Sequence, residues 1–234
     1  MNVFIDLETI PEQPEAEAKA AIAESIQAPA SMKKPETVAD WHNGVGKYAG
    51  EKEALIEERY RKTALDGSKG EIISIAFAVE GGEVFVSSRQ HFESEVGLIE
   101  NALYQLDQEL SSYGQSRPPY FVGHNIGGFD LKFLYQRCVI NRINPGFDLK
   151  QWGRHGSQFF DTMQAWAGWG NRISQDNLCK ALGIEGKPDD IDGSKVWDFY
   201  KAGQIGRIAE YNADDVLKVR EIYQRLTFAT QAAA

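Results

Sequence analysis

The chain has 234 residues, 42% of them hydrophobic, and a formal net charge of −9, which is enough chain to bury a sizeable single core and too acidic for a protein that coats nucleic acid over its whole surface. No apolar run approaches the ~20 residues needed to cross a bilayer, and the opening residues lack the basic, apolar and cleavage regions of a signal peptide. Cys138 and Cys179 show neither a Cys-x-x-Cys pair nor a disulfide framework, so a soluble, cytoplasmic protein is expected, with no membrane partner.

In chain order, residues 1–8 read as a strand whose apolar Val3-Phe4-Ile5 runs into Asp6-Leu7-Glu8-Thr9. A period of two places Asp6 and Glu8 on one face. From 11 to 70 an acidic, alanine-rich stretch gives way to 35–48 and to a helix over 51–64, an expected insertion between the first two strands of one domain spanning 1–234. Its Trp41, Tyr48, Arg59, Tyr60, Arg61 and Lys62 mix aromatic and positive side chains, which suits base stacking and phosphate binding. The same residues also suit an amphipathic helix packed on the domain. Strands over 71–79 and 83–88 flank Gly81-Gly82 as a hairpin and complete an antiparallel triplet with the first strand.

A helix over 95–110, a strand over 119–124 and a helix over 128–140 follow, then a strand over 158–162. Helices at 175–182, near 196–202 and at 205–226 finish the pattern, and the tail 227–234 suggests no added module. Between the 119–124 strand and the next helix stands His124-Asn125-Ile126-Gly127-Gly128-Phe129-Asp130, which sets Asp130 at a helix start. In the last helix Tyr211 and Asp215 are four residues apart and share a face. Asp215 continues into Val219, Ile222 and Leu226, an apolar stripe, whereas Asp214 continues into Lys218, Glu221 and Arg225, a solvated one, so Asp215 is the better inward-facing acid.

Together these segments resemble the Exo I, Exo II and Exo III motifs of the DEDD superfamily of 3′-to-5′ exonucleases. Phe4-Ile5-Asp6-Leu7-Glu8-Thr9 is similar to the Asp-x-Glu motif, and Asn125-x-x-x-Phe129-Asp130 resembles the form found in B-family polymerase proofreading domains. Tyr211-x-x-x-Asp215 resembles the tyrosine subclass (DEDDy); Glu210 stands where the other subclass has histidine. The resemblance implies an α/β, ribonuclease-H-like fold with a mixed five-stranded sheet flanked by helices, and a stand-alone relative of the proofreading domain that releases nucleoside 5′-monophosphates from DNA 3′ ends. It further implies that Asp6 bridges two ions, that Glu8 and Asp215 complete one of them, that Asp130 acts mainly through water and that Tyr211 orients the attacking water. Thr9 would lie beside the terminal 3′-OH, with Asn125 and Phe129 against the last nucleotides.

The chemistry explains the residue types. Phosphodiester hydrolysis builds charge on the attacking and departing oxygens, which two cations about 4 Å apart can neutralise. An all-oxygen ligand set without a His or Cys cluster favours Mg²⁺ or Mn²⁺ over Zn²⁺. Singly the motifs are ordinary: Asp130 could cap a helix, Phe129 could be a core ring, and Asp161 could close a turn. The same chemistry serves an exoribonuclease, so RNA is an alternative substrate to single-stranded DNA, and a noncatalytic nucleic-acid-binding subunit is the rival from another class.

Overall fold

A computed structural model describes residues 1–114, 118–149, 159–185 and 191–229. In chain order the strands are β1 (Asn2–Ile10), β2 (Glu71–Val79), β3 (Phe85–Ser88), β4 (Tyr120–Gly123) and β5 (Phe159–Asp161). The α-helices are α1 (Glu15–Ser25), α2 (Pro35–Asn43), α3 (Glu51–Lys62), α4 (Glu95–Ser112), α5 (Asp130–Asn141), α6 (Thr162–Ala167), α7 (Gln175–Leu182), α8 (Val196–Lys201) and α9 (Ile205–Leu226). They fall into two compact units, Met1–Thr9 with Ile72–Ala234, and Ile10–Glu71.

In the larger unit the strands form one five-stranded mixed sheet, ordered β3-β2-β1-β4-β5. β2 and β3 are antiparallel with Ile75 opposite Ser87. β4 runs parallel to β1, pairing Val3 with Phe121 and Phe4 with Val122, and β5 runs parallel to β4, pairing Gly123 with Asp161. Three consecutive parallel strands therefore release their following residues at one edge of the sheet.

Strand alternation decides what each face receives. Val3, Ile5 and Leu7 of β1 join Ile75 and Phe77 of β2, Phe121 of β4 and the apolar sides of α4 and α5 in the main core. Phe4 points the other way, to a second cluster with Ala76, Ala78, Val122 and the α9 residues Val216 and Val219. Each fully buried Ile, Val or Phe contributes roughly 1.5–3 kcal/mol by leaving water. Asp6 and Glu8 share the Phe4 face by the same alternation, so the strand aims them toward the helix that carries Tyr211 and Asp215.

A buried ion pair ties the main core together. Arg137 donates from Nε to Glu95 Oε1 at 2.8 Å and from Nη2 to Glu95 Oε2 at 2.7 Å. Asn141 Nδ2 and the Ile72 amide each add a bond to the same carboxylate at 2.8 Å. Both oxygens of Glu95 are thus occupied, and the C-terminal half of α5 is locked to the start of α4 and to β2.

The smaller unit is helical, with Trp41 and Tyr60 2% and 0% exposed. Their rings are core, not a stacking surface, and several of its cations face acids: Lys19 contacts Glu15 and Glu57, Arg61 contacts Glu57, and Lys62 contacts Glu58. Other departures from the sequence pattern are local. β3 begins at Phe85, two residues later than expected, α6 was not foreseen, and Gln158 lies outside the described residues. Lys218 is buried, contrary to a wholly solvated stripe, because its ammonium reaches back one turn to Asp214. No described helix is long and apolar enough to cross a membrane.

Candidate active site

β1 outlasts its neighbour. The pairing with β4 covers Asn2 to Phe4, and β4 turns away after Gly123, so Asp6, Leu7 and Glu8 extend beyond it. Leu7's amide is then available to donate to Asp130 Oδ1 at 3.2 Å. That bond draws the first residue of α5 against the strand between its two acids. Asp130 is not the cap of its helix: the N-cap position is Phe129, without a side-chain capping bond.

Carboxylate oxygens of Asp6, Glu8 and Asp215 all lie within 4.8 Å of one another. Glu8 and Asp215 are buried, at 7% and 3% exposure, while Asp6 is half-buried and gives the group its opening. All three donors are hard oxygens at a spacing that one small divalent cation can draw together, which fits Mg²⁺ or Mn²⁺. Fixed negative charges this close repel one another unless a cation joins them.

Two carboxamides that the motif pattern did not reveal hold the acids in place. Asn212 Nδ2 donates to Asp6 Oδ2 at 2.7 Å, and the Asn212 oxygen accepts from Ser74 Oγ at 2.7 Å. Gln175 Nε2 donates to Asp215 Oδ1 and to the Asp215 carbonyl, both at 3.1 Å. The available signal was weak: Asn212 adjoins Tyr211, but Gln175 lies in a different helix, 40 positions from Asp215.

Burial, with charges on Asp161 and Asp215 adding to it, holds the Asp130 carboxyl well above the usual carboxylate range, opposed by its own amide and that of Leu7. Tyr211 is 6% exposed. Its phenol is pushed far above its ordinary value, first by burial and then by the charges of Asp215, Glu8 and Asp6, with a hydrogen bond to Asp215 acting in the same direction. Such a hydroxyl stays protonated and can donate a hydrogen bond, but it cannot accept a proton at neutral pH.

Thr9 is buried at 9% exposure at the end of the acid-bearing strand. Asn125 holds a left-handed backbone, φ 62°, in the tight turn that leads to α5. A Cβ on Gly128 would stand 2.5 Å from Asn125 Oδ1 and would push that side chain aside. The half-buried ring of Phe129 packs at 5.4 Å from Phe133. Asp161 supports the turn from β5: its Oδ1 accepts from the Asn125 amide at 3.0 Å as well as from Met163 and Gln164 of α6. His124 is structural, with Nε2 donating to the Ile173 carbonyl at 2.8 Å.

A mixed α/β sheet of ribonuclease-H-like form, with acids gathered beside its parallel strands, is the form of an exonuclease domain. The chain belongs to the family described as "Predicted 3'-5' exonuclease related to the exonuclease domain of PolB", whose model matches residues 69–232. No curated protein sequence matches the chain. The matched segment contains Asn125, Phe129, Asp130, Tyr211 and Asp215 but not Asp6, Glu8 or Thr9. It is the folded geometry that adds the first strand's acids to Asp215.

Proposed function

We propose that the protein is a 3′-to-5′ exodeoxyribonuclease that removes nucleoside 5′-monophosphates from single-stranded DNA ends, using two Mg²⁺ or Mn²⁺ ions. The observation that carries this reading is the convergence of Asp6, Glu8 and Asp215 within 4.8 Å, beside Asp130 and Tyr211. Asp6, Glu8, Asp130 and Asp215 would hold the cations. When bound, these supply neutralising charge to the attacking and departing oxygens of the phosphodiester.

The chain's own groups do the rest. Tyr211, protonated at neutral pH, would donate a hydrogen bond that orients the attacking water. Thr9 would lie beside the terminal 3′-OH, and Asn125 and Phe129 would border the terminal nucleotides, the amide through hydrogen bonds and the ring through packing. Water adds to phosphorus, the bond to the penultimate 3′ oxygen breaks, and that oxygen leaves with a proton. The Asn-x-x-x-Phe-Asp form of the second motif and the family's stated relation to the exonuclease domain of PolB support DNA over RNA. Residues 1–234 would then act as one exonuclease domain with an insertion at about 11–70, in the cytoplasm.

The test is digestion of 5′-labelled single-stranded DNA, duplex DNA and RNA of one sequence with Mg²⁺, Mn²⁺ or EDTA, beside Asp6→Ala. The expected result is a metal-dependent ladder, shortened from the 3′ end, fastest on single-stranded DNA and absent in the variant. Faster shortening of RNA would reassign the substrate, and intact oligonucleotides under all conditions would leave a binding subunit.

A further inference from the structure

The segment after β5 leaves the edge of the site and comes back to it. It departs at Asp161, whose carboxylate holds the Asn125 amide at 3.0 Å, and returns at Ile173, whose carbonyl accepts from His124 Nε2 at 2.8 Å. Both ends are therefore fastened to consecutive residues of the turn that carries Asn125, Phe129 and Asp130. Between them stand α6 and a closed turn, in which Asn171 donates from Nδ2 to the Ala167 carbonyl at 3.0 Å and from its amide to Gly168 at 3.2 Å. α6 has six residues and rises only ~1.5 Å per residue, so the excursion stays close to the carboxylate edge.

Two indoles are displayed on this short, anchored excursion. Trp166 is 46% exposed and Trp169 88% exposed, the highest exposure of any large apolar side chain among the described residues. Arg172, also exposed, follows at the same spacing of three residues. Among the described residues, neither indole stacks on another ring or receives a cation, and Arg172 has no carboxylate partner. Of the aromatic residues that the sequence pattern marked for stacking, Trp41 and Tyr60 are interior and Tyr48 is half-buried, whereas these two indoles are open to a ligand beside the turn that carries Asn125.

We propose that Trp166, Trp169 and Arg172 form a stacking platform for single-stranded DNA whose 3′ end lies at the carboxylates. Indole faces accept every base, so a strand shortened one nucleotide at a time can advance across them without sequence preference. With a net charge of −9 the protein cannot rely on a long-range field to hold an anionic polymer. Stacking supplies contact that salt does not screen, and the guanidinium of Arg172 can meet a phosphate between stacked bases. The orientation rests on the exonuclease assignment; the platform itself is tested by binding alone.

The experiment measures binding of labelled (dT)3, (dT)6 and (dT)12 by fluorescence anisotropy in EDTA, for wild type, Trp169→Ala, Trp169→Phe, Trp166→Ala and Arg172→Gln, with thermal melting as a check on folding. The expected result is roughly a tenfold loss of (dT)12 affinity in Trp169→Ala, within the range for one lost base stack. Trp169→Phe should recover most of it, and the rise in affinity from (dT)3 to (dT)12 should flatten in the alanine variant. Wild-type affinity in folded Trp169→Ala, or no (dT)12 binding by wild type, would overturn the platform. Loss of binding in the variant together with a wild type that leaves all oligonucleotides intact with Mg²⁺ and Mn²⁺ would keep the platform and remove the exonuclease assignment.

Discussion

Asn212 and Asp6 are 206 positions apart in sequence and joined by a 2.7 Å hydrogen bond. The donor is neutral, so it orients the carboxylate without adding a positive charge that would compete with a metal ion. Gln175 acts on Asp215 in the same manner. Asn212→Ala and Gln175→Leu should each lower Mn²⁺ affinity by roughly 10- to 100-fold, the usual cost of losing a partner that orients a ligand, as read by calorimetry. Unchanged affinity in both would reduce the carboxamides to packing.

Tyr211 should contribute by position and not by proton transfer. Its raised phenol remains neutral across the working range, so it adds no limb to the pH–rate profile. Tyr211→Phe should lower kcat by about tenfold, a typical scale for one oriented hydrogen bond, and leave the profile's shape unchanged. Loss of an ascending limb in the variant would instead make the tyrosine a base.

Asp130 links stability to pH in the metal-free protein. Its native value lies above the unfolded value of ~3.9, so the folded state keeps a proton that the unfolded chain has released. The stabilisation is complete below that unfolded value and is lost as pH rises through the elevated native one. In EDTA, melting temperature should therefore fall more steeply with rising pH in wild type than in Asp130→Asn, and Mg²⁺ should narrow the difference. Parallel pH curves for the two proteins in EDTA would count against the linkage.

The Glu95–Arg137 pair carries a different expectation. Arg137→Met removes the cation and leaves Glu95 charged and 6% exposed, a situation that costs about 3–5 kcal/mol. Chemical denaturation should show a loss of that order, and replacing Glu95 as well, by Leu, should restore much of it. A loss below about 1 kcal/mol would mean that water reaches the carboxylate.

Elements with a long, clean period were legible in the sequence. α7 and α9 have the expected bounds because their apolar stripes are uninterrupted, and the motif acids meet, with Asp6 and Glu8 on β1, Asp130 at the start of α5 and Tyr211 and Asp215 in the middle of α9. Asp215 is the inward acid of its pair for the reason its spacing gave. Less was legible where tertiary contact overrides pattern. Lys218 reads as solvent-facing until Asp214 is seen to receive it, and for Trp41 and Tyr60 the sequence left a stacking surface and a packed helix both open, because nothing local announces the core they build. The holding bonds of Asn212 and Gln175 cross between elements, which no single-segment period can encode.

Ala76 and Ala78, beneath Val216 and Val219 of α9, act as a spacer set to its thinnest value. They carry no chemistry, yet they determine how deep the helix sits and hence how far Asp215 and Tyr211 stand from the strand acids. Added methyl groups there would spread the carboxylates of the proposed metal site as a wedge opens a clamp. The breadth of the carboxylate cluster is in that sense written in the smallest side chains of a neighbouring strand, well away from any atom that would touch a nucleotide under the proposed function.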